Sequence, residues 1–204
     1  MGYPRGSMGY DAIVLASASQ RRSQLLIQIG VRHRIVGADL DETPLAGEKP
    51  LDYVQRLAAG KAQAVVARQG GLPDAPVLAA DTTVVLGDRL FGKPADEAEC
   101  LEMLGALAGR THAVLTAVAL WHDGRLHQSH DTSYVTFRPI DRDERRRYWA
   151  SGEPAGKAGG YAIQGLGAVF VERLEGSFSG VMGLPLFTTA ALLDAAGVRR
   201  WQAA

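Results

Sequence analysis

Val77-Leu-Ala-Ala-Asp-Thr-Thr-Val-Val-Leu-Gly87 sets apolar and β-branched residues on both sides of one carboxylate, Asp81, and runs on into Asp88-Arg-Leu-Phe-Gly-Lys-Pro94. Such a run predicts a largely buried strand. Gly87-Asp88 signals a turn, and Leu90-Phe91 predicts a short return strand that brings Lys93 back alongside. An ionised carboxylate inside a buried strand is costly. Asp81 must therefore face a cation, a metal or a polar cleft, unless it only bonds neighbouring backbone or caps a turn.

The remaining chain has room for the layers that would bury such a strand. Its 204 residues suffice for one well-buried domain, built as two lobes around a cleft. With 47% hydrophobic and 22% charged residues it has the composition of a soluble globular protein. Lysine plus arginine and aspartate plus glutamate balance at 22 each, so the total charge points to neither nucleic acid nor a membrane surface. An anion site must then be a local cluster. The single cysteine, Cys100, excludes an internal disulfide, fits a reducing compartment and sits in a helical pattern as a small buried hydrophobe. Residues 1–10 lack the apolar core of a signal peptide and read as a loose leader, with Met8 an alternative start, ahead of a single domain over 11–204. No apolar run approaches the roughly 18 to 20 residues that span a bilayer. A cytoplasmic protein is expected.

Working outward from Asp81, the segments on its N-terminal side supply candidate partners. Residues 11–16 form a short strand pattern that feeds Ser17-Ala-Ser-Gln-Arg-Arg22 and a helix stopping at Gly30, with Ser19 as N-cap and Leu25, Leu26 and Ile29 on one face. A strand entering a hydroxyl-rich turn at a helix N-terminus makes an anion site, because free backbone N–H groups point outward there. Arg21 and Arg22 stand in that first turn, where the helix dipole disfavours cations. They are either solvated or matched to a bound polyanion. Residues 34–39 predict a second short strand that ends in Asp39-Leu-Asp-Glu-Thr-Pro44, an acidic loop in which Glu42 is the central candidate metal ligand. Over 51–70, Leu51, Val54, Leu57, Ala58, Ala62, Val65 and Val66 form one helical stripe that also carries Lys61. A lysine on such a stripe ordinarily snorkels to solvent; the alternative is a reach into a cleft.

On the C-terminal side, a helix is predicted over 95–108, then a strand pair over 111–121 and 126–137 joined through the Asp123-Gly124 hairpin. His122, His127 and His130 lie near that turn or on a polar strand and have no matching ligand motif, so they read as surface residues. Asp141 and Glu144 predict a capping box for a helix ending near Ala150, whose Arg145-Arg-Arg147 run reads as a solvated face. The longest glycine-rich stretch, 151–167, interleaves Tyr161, Ile163 and Leu166, which suggests a packed binding loop with Gln164 as its one amide side chain. A strand over 168–174 and a last helix between Pro185 and Gly197 follow.

Together these segments resemble the Maf family of nucleotide pyrophosphatases. The resemblance rests on Leu15-Ala-Ser-Ala-Ser-Gln-Arg-Arg22, Asp41-Glu-Thr-Pro44, Lys61-Ala62, Ala80-Asp-Thr82 and Gly92-Lys-Pro94. It continues through Lys157-Ala-Gly-Gly-Tyr161, Ile163-Gln-Gly-Leu-Gly167, Val171-Glu-Arg-Leu-Glu-Gly176 and Gly183-Leu-Pro185. It covers nearly the whole chain, and the order and spacing of the pieces make it specific. One departure stands out: Gln20 occupies a position that is usually proline in the family, which would loosen the turn before the helix.

The resemblance implies an α/β, inosine-triphosphatase-like fold, with a mixed, elongated sheet flanked by helices and a cleft between two lobes. It implies hydrolysis of a nucleoside triphosphate to monophosphate and pyrophosphate, assisted by a divalent cation, Mg2+ or Mn2+. By position, Asp81 activates water, or serves mainly as a ligand of a metal that generates hydroxide, and Arg21, Lys61, Lys93 and Glu42 join the catalytic and phosphate-binding set. Glu42 and Asp81 are the metal ligands implied, and Ser17, Arg22 and Lys157 are further substrate-binding candidates. Arg21, Thr82 and Gln164 match positions linked to base choice. The sequence Tyr161-Ala-Ile-Gln-Gly165 resembles the subgroup that acts on dTTP and UTP, and a glutamine amide offers both donor and acceptor to the N3–H and O4 edge of those bases. The alternatives are the same chemistry on 7-methyl-GTP or other modified nucleotides, and a nucleotide-sensing regulator of septum formation. The resemblance also allows a homodimer, which no feature of the sequence itself locates.

Overall fold

The computed structural model describes residues 9–71 and 74–202. The first eight residues of the expected leader lie outside that range, but Tyr10 is not loose. Its N–H donates to the Gly197 carbonyl at 2.9 Å, its carbonyl accepts from Arg199 N–H at 3.0 Å, and its ring packs edge-on against His122.

The Asp81 stretch forms β3 (Val77–Leu86), which turns at Gly87 into β4 (Arg89–Phe91) as expected. On one side β3 runs parallel to β1 (Ala12–Leu15), which pairs in parallel with β2 (Arg32–Ile35) across the helix α1 (Gln20–Gln28). On the other side it runs antiparallel to β5 (Thr111–His122), followed by β6 (Arg125–Phe137) and β7 (Val171–Glu175). Among the described residues the result is one mixed seven-stranded sheet of order β2-β1-β3-β5-β6-β7, with β4 against β3. The helices are α2 (Pro50–Arg68), α3 (Glu97–Leu107), α4 (Arg142–Ala150), α5 (Phe178–Met182) and α6 (Leu186–Ala195), with short 3-10 turns at Ala158–Gly160 and Leu166–Phe170. None of the helices among the described residues is long and apolar enough to cross a membrane.

Burial on both faces explains why β3 and β5 read as continuous apolar runs. Val77, Ala79 and Val85 of β3, with Leu115, Ala117 and Ala119 of β5, pack under the α2 stripe. The opposite face is split: Leu78, Ala80, Val118 and Leu120 meet α1 and α6, whereas Val84 and Val114 join the cluster around α3, Tyr148, Tyr161 and Phe170. Thr82 and Thr116, paired in register, sit at the division between those two clusters.

One edge of β3 is left open. β1 pairs only with Val77 and Leu78, and β4 pairs only from Val84 to Leu86, so residues 79–83 have no strand partner on that side among the described residues. The gap lies just beyond the C-terminal end of β1, where open α/β sheets characteristically leave a crevice.

Several boundaries depart from the sequence reading. β2 begins at Arg32 and ends at Ile35 instead of covering 34–39, because only that segment reaches the register of β1. The strand expected from 168 starts at Val171; the residues before it form a 3-10 turn, on which Leu166 and Val169 are exposed. Leu166 is therefore not part of the packing that buries Tyr161 and Ile163. Only half of the α4 capping box forms. Asp141 accepts from the Glu144 N–H at 2.7 Å, but the Glu144 carboxylate turns to Arg138, at 2.6 and 2.9 Å. Arg145 departs from the solvated face, donating to the Leu101 carbonyl at 2.8 Å and tying α4 to α3.

Candidate active site

The gap beside β3 opens into a cleft of about 760 Å³, and all ten residues singled out from the sequence line it. The side chains come from five separate segments: the β1–α1 turn, the loop after β2, α2, the β3–β4 hairpin and the glycine-rich loop.

Asp81 and Lys61 form its floor. Odd-numbered residues of β3 face α2, and the buried Lys61 lies on the stripe that meets them. Its ammonium does not snorkel. It lies 2.6 Å from Asp81 Oδ1 and 2.6 Å from Glu42 Oε1. Glu42 also holds Lys93 through Oε2 at 3.4 Å, which brings the acidic loop and the β3–β4 hairpin together across the cleft mouth. That acidic loop has no regular structure and is stitched to α2. Tyr53 donates to the Glu42 carbonyl at 2.9 Å, and Arg56 binds Glu48 through two contacts of 2.6 and 2.7 Å and the Thr43 carbonyl at 3.2 Å.

The two carboxylates answer differently to the lysine they share. Burial is the largest influence on Asp81 and raises its pKa, although Lys61 and Arg22 pull the other way. Glu42 is more open. Its burial also works upward, but hydrogen bonds and charge from Lys61 and Lys93 prevail and lower its pKa. An Asp81 carboxyl displaced upward is a better proton acceptor than an ordinary aspartate.

On the other side of the cleft, Ser19 takes the N-cap position of α1, but its hydroxyl makes no capping bond; instead Ser17 Oγ accepts from the Ser19 N–H at 3.2 Å. Arg21 and Arg22 are not a solvated pair. Arg21 Nε donates to the Met182 carbonyl at 3.2 Å and Arg22 Nε to the Gly183 carbonyl at 2.8 Å, so both exploit the carbonyl-rich end of α5. Arg22 is further fixed by Ser17 Oγ at 3.1 Å and Thr82 Oγ1 at 3.3 Å. Burial is the main influence on both guanidinium groups and lowers their pKa, and burial followed by the charge of Arg21 lowers that of Lys157. Such a concentration of partly desolvated cations is a site prepared for a polyanion.

Thr82 belongs to a proton chain that the sequence did not reveal. Thr116 Oγ1 donates to the Gly180 carbonyl at 2.8 Å, and that carbonyl can only accept. The 2.9 Å contact between the two threonines must then carry the Thr82 proton to Thr116. Thr82 thus turns lone pairs toward Arg22 and the cleft. Tyr53 and Thr116 were missed for one reason: neither lies in a motif, and only the register of β3 with β5 and the course of the acidic loop bring them in.

Asp81 and Glu42 are hard oxygen donors that each turn one oxygen to the Lys61 ammonium, and among the described residues no cluster of three His, Cys, Asp or Glu side chains forms a closed metal cage. A donor set of one or two carboxylates, completed by phosphate oxygens and water, is how Mg2+ is commonly bound, so these residues fit such an ion. His127 and His130 are exposed on β6, and His122 is half-buried against Tyr10.

Comparison with known proteins finds relatives over nearly the whole chain. The chain is 52% identical over 198 residues to a dTTP/UTP pyrophosphatase of Cupriavidus pinatubonensis, covering 93% of this chain and 99% of the relative. It is 52% identical to the Cupriavidus metallidurans protein of the same name, covering 91% and 97%, and 50% identical to that of Bordetella parapertussis, covering 91% and 93%. Among solved structures, the Staphylococcus aureus Ham1 protein aligns with a TM-score of 0.39 and 15% identity over 62% of this chain and 71% of its own, a likeness too slight to carry an argument. The family model described as Maf-like protein matches residues 12–196, and the chain belongs to the Maf family.

Proposed function

We propose that this protein is a nucleoside triphosphate pyrophosphatase that hydrolyses dTTP and UTP to the monophosphate and pyrophosphate. The observation that carries the reading is the placement of Lys61 Nζ at 2.6 Å from both Asp81 and Glu42, on the floor of a cleft ringed by Arg21, Arg22, Lys93 and Lys157. The names of relatives about 50% identical over nine-tenths of the chain supply the substrate class.

Hydrolysis of a phosphoanhydride asks for an aligned water and neutralised charge more than for a protein nucleophile. Asp81 takes the proton of a water that adds to phosphorus at the α–β anhydride, while the bond to the bridging oxygen breaks and pyrophosphate leaves. Lys61 orients Asp81 and offsets the charge gathering beside it. Arg21, Arg22, Lys93 and Lys157 bind the phosphate oxygens, with Ser17 steadying Arg22. Asp81 and Glu42 would hold a divalent cation, Mg2+ or Mn2+, which supplies Lewis-acid stabilisation of the phosphates and lowers the pKa of bound water.

For the base, Gln164 is an exposed residue of the cleft lining, and its amide offers a donor and an acceptor to the N3–H and O4 edge of thymine or uracil. The same reading takes residues 11–204 as one catalytic domain working in the cytoplasm, independent of nucleic acid or membrane, with a homodimer as a further expectation.

Pyrophosphate release from dTTP, UTP, CTP, GTP, ATP and 7-methyl-GTP, with Mg2+ or Mn2+, tests the proposal. Turnover of dTTP and UTP should fall by about a thousandfold or more in Asp81→Asn, which keeps the shape of the side chain but removes its basicity. Preference for another nucleotide would sink the base assignment and leave the chemistry. Nucleotide binding without turnover of any substrate would instead support the sensing role.

A further inference from the structure

Gln164 sits at the corner of a turn, closed by the Gly165 N–H on the Ala162 carbonyl at 3.2 Å. A turn with so few bonds of its own cannot place an amide accurately. The fixing comes from a carboxylate outside it. Glu153 accepts from the Leu166 N–H through Oε2 at 2.9 Å and from the Gly167 N–H through Oε1 at 2.9 Å. Tyr148 donates to Oε1 at 2.7 Å and accepts from the Ala162 N–H at 3.1 Å. Both flanks of the turn are thereby tied, one directly and one through Tyr148, to a single side chain.

The glycines make that approach possible. A Cβ on Gly165 would collide with the Glu153 carboxylate, and one on Gly167 would lie 2.6 Å from the Tyr148 hydroxyl and 2.9 Å from the Ala162 carbonyl. Burial alone would raise the Glu153 pKa, but the bonds from Gly167, Leu166 and Tyr148 outweigh it and hold the group below the ordinary glutamate value. It therefore stays an acceptor, which three converging donors require.

We propose that Glu153, acting with Tyr148, is a positioning residue for base selection, because it fixes the turn from which Gln164 reaches into the cleft. The inference rests on the assignment of Gln164 as the group that meets the base. An amide discriminates only when its backbone is held to within roughly 0.5 Å of the productive place. Glutamine at 153 has nearly the same shape but replaces one acceptor oxygen with an NH2, which must then confront an N–H or O–H donor.

The test compares kcat/KM for UTP and CTP in wild type, Glu153→Gln, Tyr148→Phe, Gln164→Ala and the Glu153→Gln/Gln164→Ala double variant. Glu153→Gln should lower the UTP-to-CTP ratio by about tenfold, mainly through the KM for UTP, as one or two hydrogen bonds to the base are lost. Tyr148→Phe should move the ratio in the same direction, and it carries the test where the Glu153 variant does not fold. In the Gln164→Ala background, Glu153→Gln should change the ratio no further, since both act through one amide. Equal losses for UTP and CTP, or independent effects in the double variant, would overturn the positioning role. A wild type that shows no preference for UTP over CTP would instead overturn the base assignment on which it rests.

Discussion

At the scale of single residues, Thr116 shows how a hydroxyl buried behind the cleft governs one that lines it. Its proton goes to the Gly180 carbonyl, so Thr82 must donate to it and present lone pairs to Arg22. Thr116→Val keeps the β-branched shape and removes both bonds. The Gly180 carbonyl and the Thr82 hydroxyl lose a partner together, and the expected cost is about 1–3 kcal/mol, read as a lower urea midpoint. Arg22 would keep its contacts to Ser17 and the Gly183 carbonyl, but the third would go to a Thr82 hydroxyl whose proton is no longer held away from it. The KM for the triphosphate should therefore rise several-fold, and Thr116→Ser should restore it; an unchanged KM would show that Arg22 does not depend on this chain. None of this was legible from local sequence. Lys61 was only half legible: the stripe placed it toward the core, but snorkelling was the ordinary expectation. Two carboxylates from distant segments turn it inward, and nothing within a few residues of Lys61 announces them.

Elements were legible where periodicity and turn chemistry agreed. The Asp123-Gly124 pair gives two successive positive φ angles, 49° and 73°, and fixes the register of β5 with β6 as the sequence suggested. β2 and the start of β7 were misplaced because their ends are set by the partner strand, not by composition. α5 went unrecognised, since Phe178–Met182 is too short to show a helical period. The entry to α1 permits a sharper statement. Gln20 is the first helical residue, where an N–H has no intrahelical acceptor, and Ser19 before it has φ −69° and ψ 113°, the extended backbone that a following proline demands. The helix thus forms at the expected place without the proline usual in the family. Gln20→Pro should fit without strain and stabilise the protein by about 0.4–1 kcal/mol, through fewer unfolded conformations. Thermal denaturation should show a rise of about 1–4 °C. A fall would mean that the turn carrying Ser17 needs the freedom that glutamine allows.

At the scale of the whole molecule, the division of one sheet face into two cores puts an unusual demand on His112. This residue lies on β5 within the cluster that backs the glycine-rich loop, 1% exposed, wedged edge-on against Phe137 and Tyr161. Its Nε2 meets the Tyr161 hydroxyl at 2.9 Å, and among the described residues Nδ1 has no hydrogen-bond partner. Burial pushes its pKa down from 6.5 to about 4, against an opposing influence from the Arg110 backbone. The native state therefore refuses a proton that the unfolded chain accepts. Below about pH 6.5 the unfolded state binds more protons, so stability is complete above that pH and declines as the pH falls toward about 4. The shift corresponds to about 3 kcal/mol over that window. Carboxylates titrate in the lower part of the same range, so the effect must be read as a difference between proteins. His112→Phe keeps an aromatic ring between Phe137 and Tyr161 and cannot take up a proton. It should cost stability at pH 7.5, where the Tyr161 hydroxyl loses its partner, yet lose less on acidification than wild type. Urea midpoints of both proteins at pH 7.5 and 4.5 give the comparison. Parallel declines would show that His112 is protonated in the folded state and that the cluster behind the glycine-rich loop admits charge.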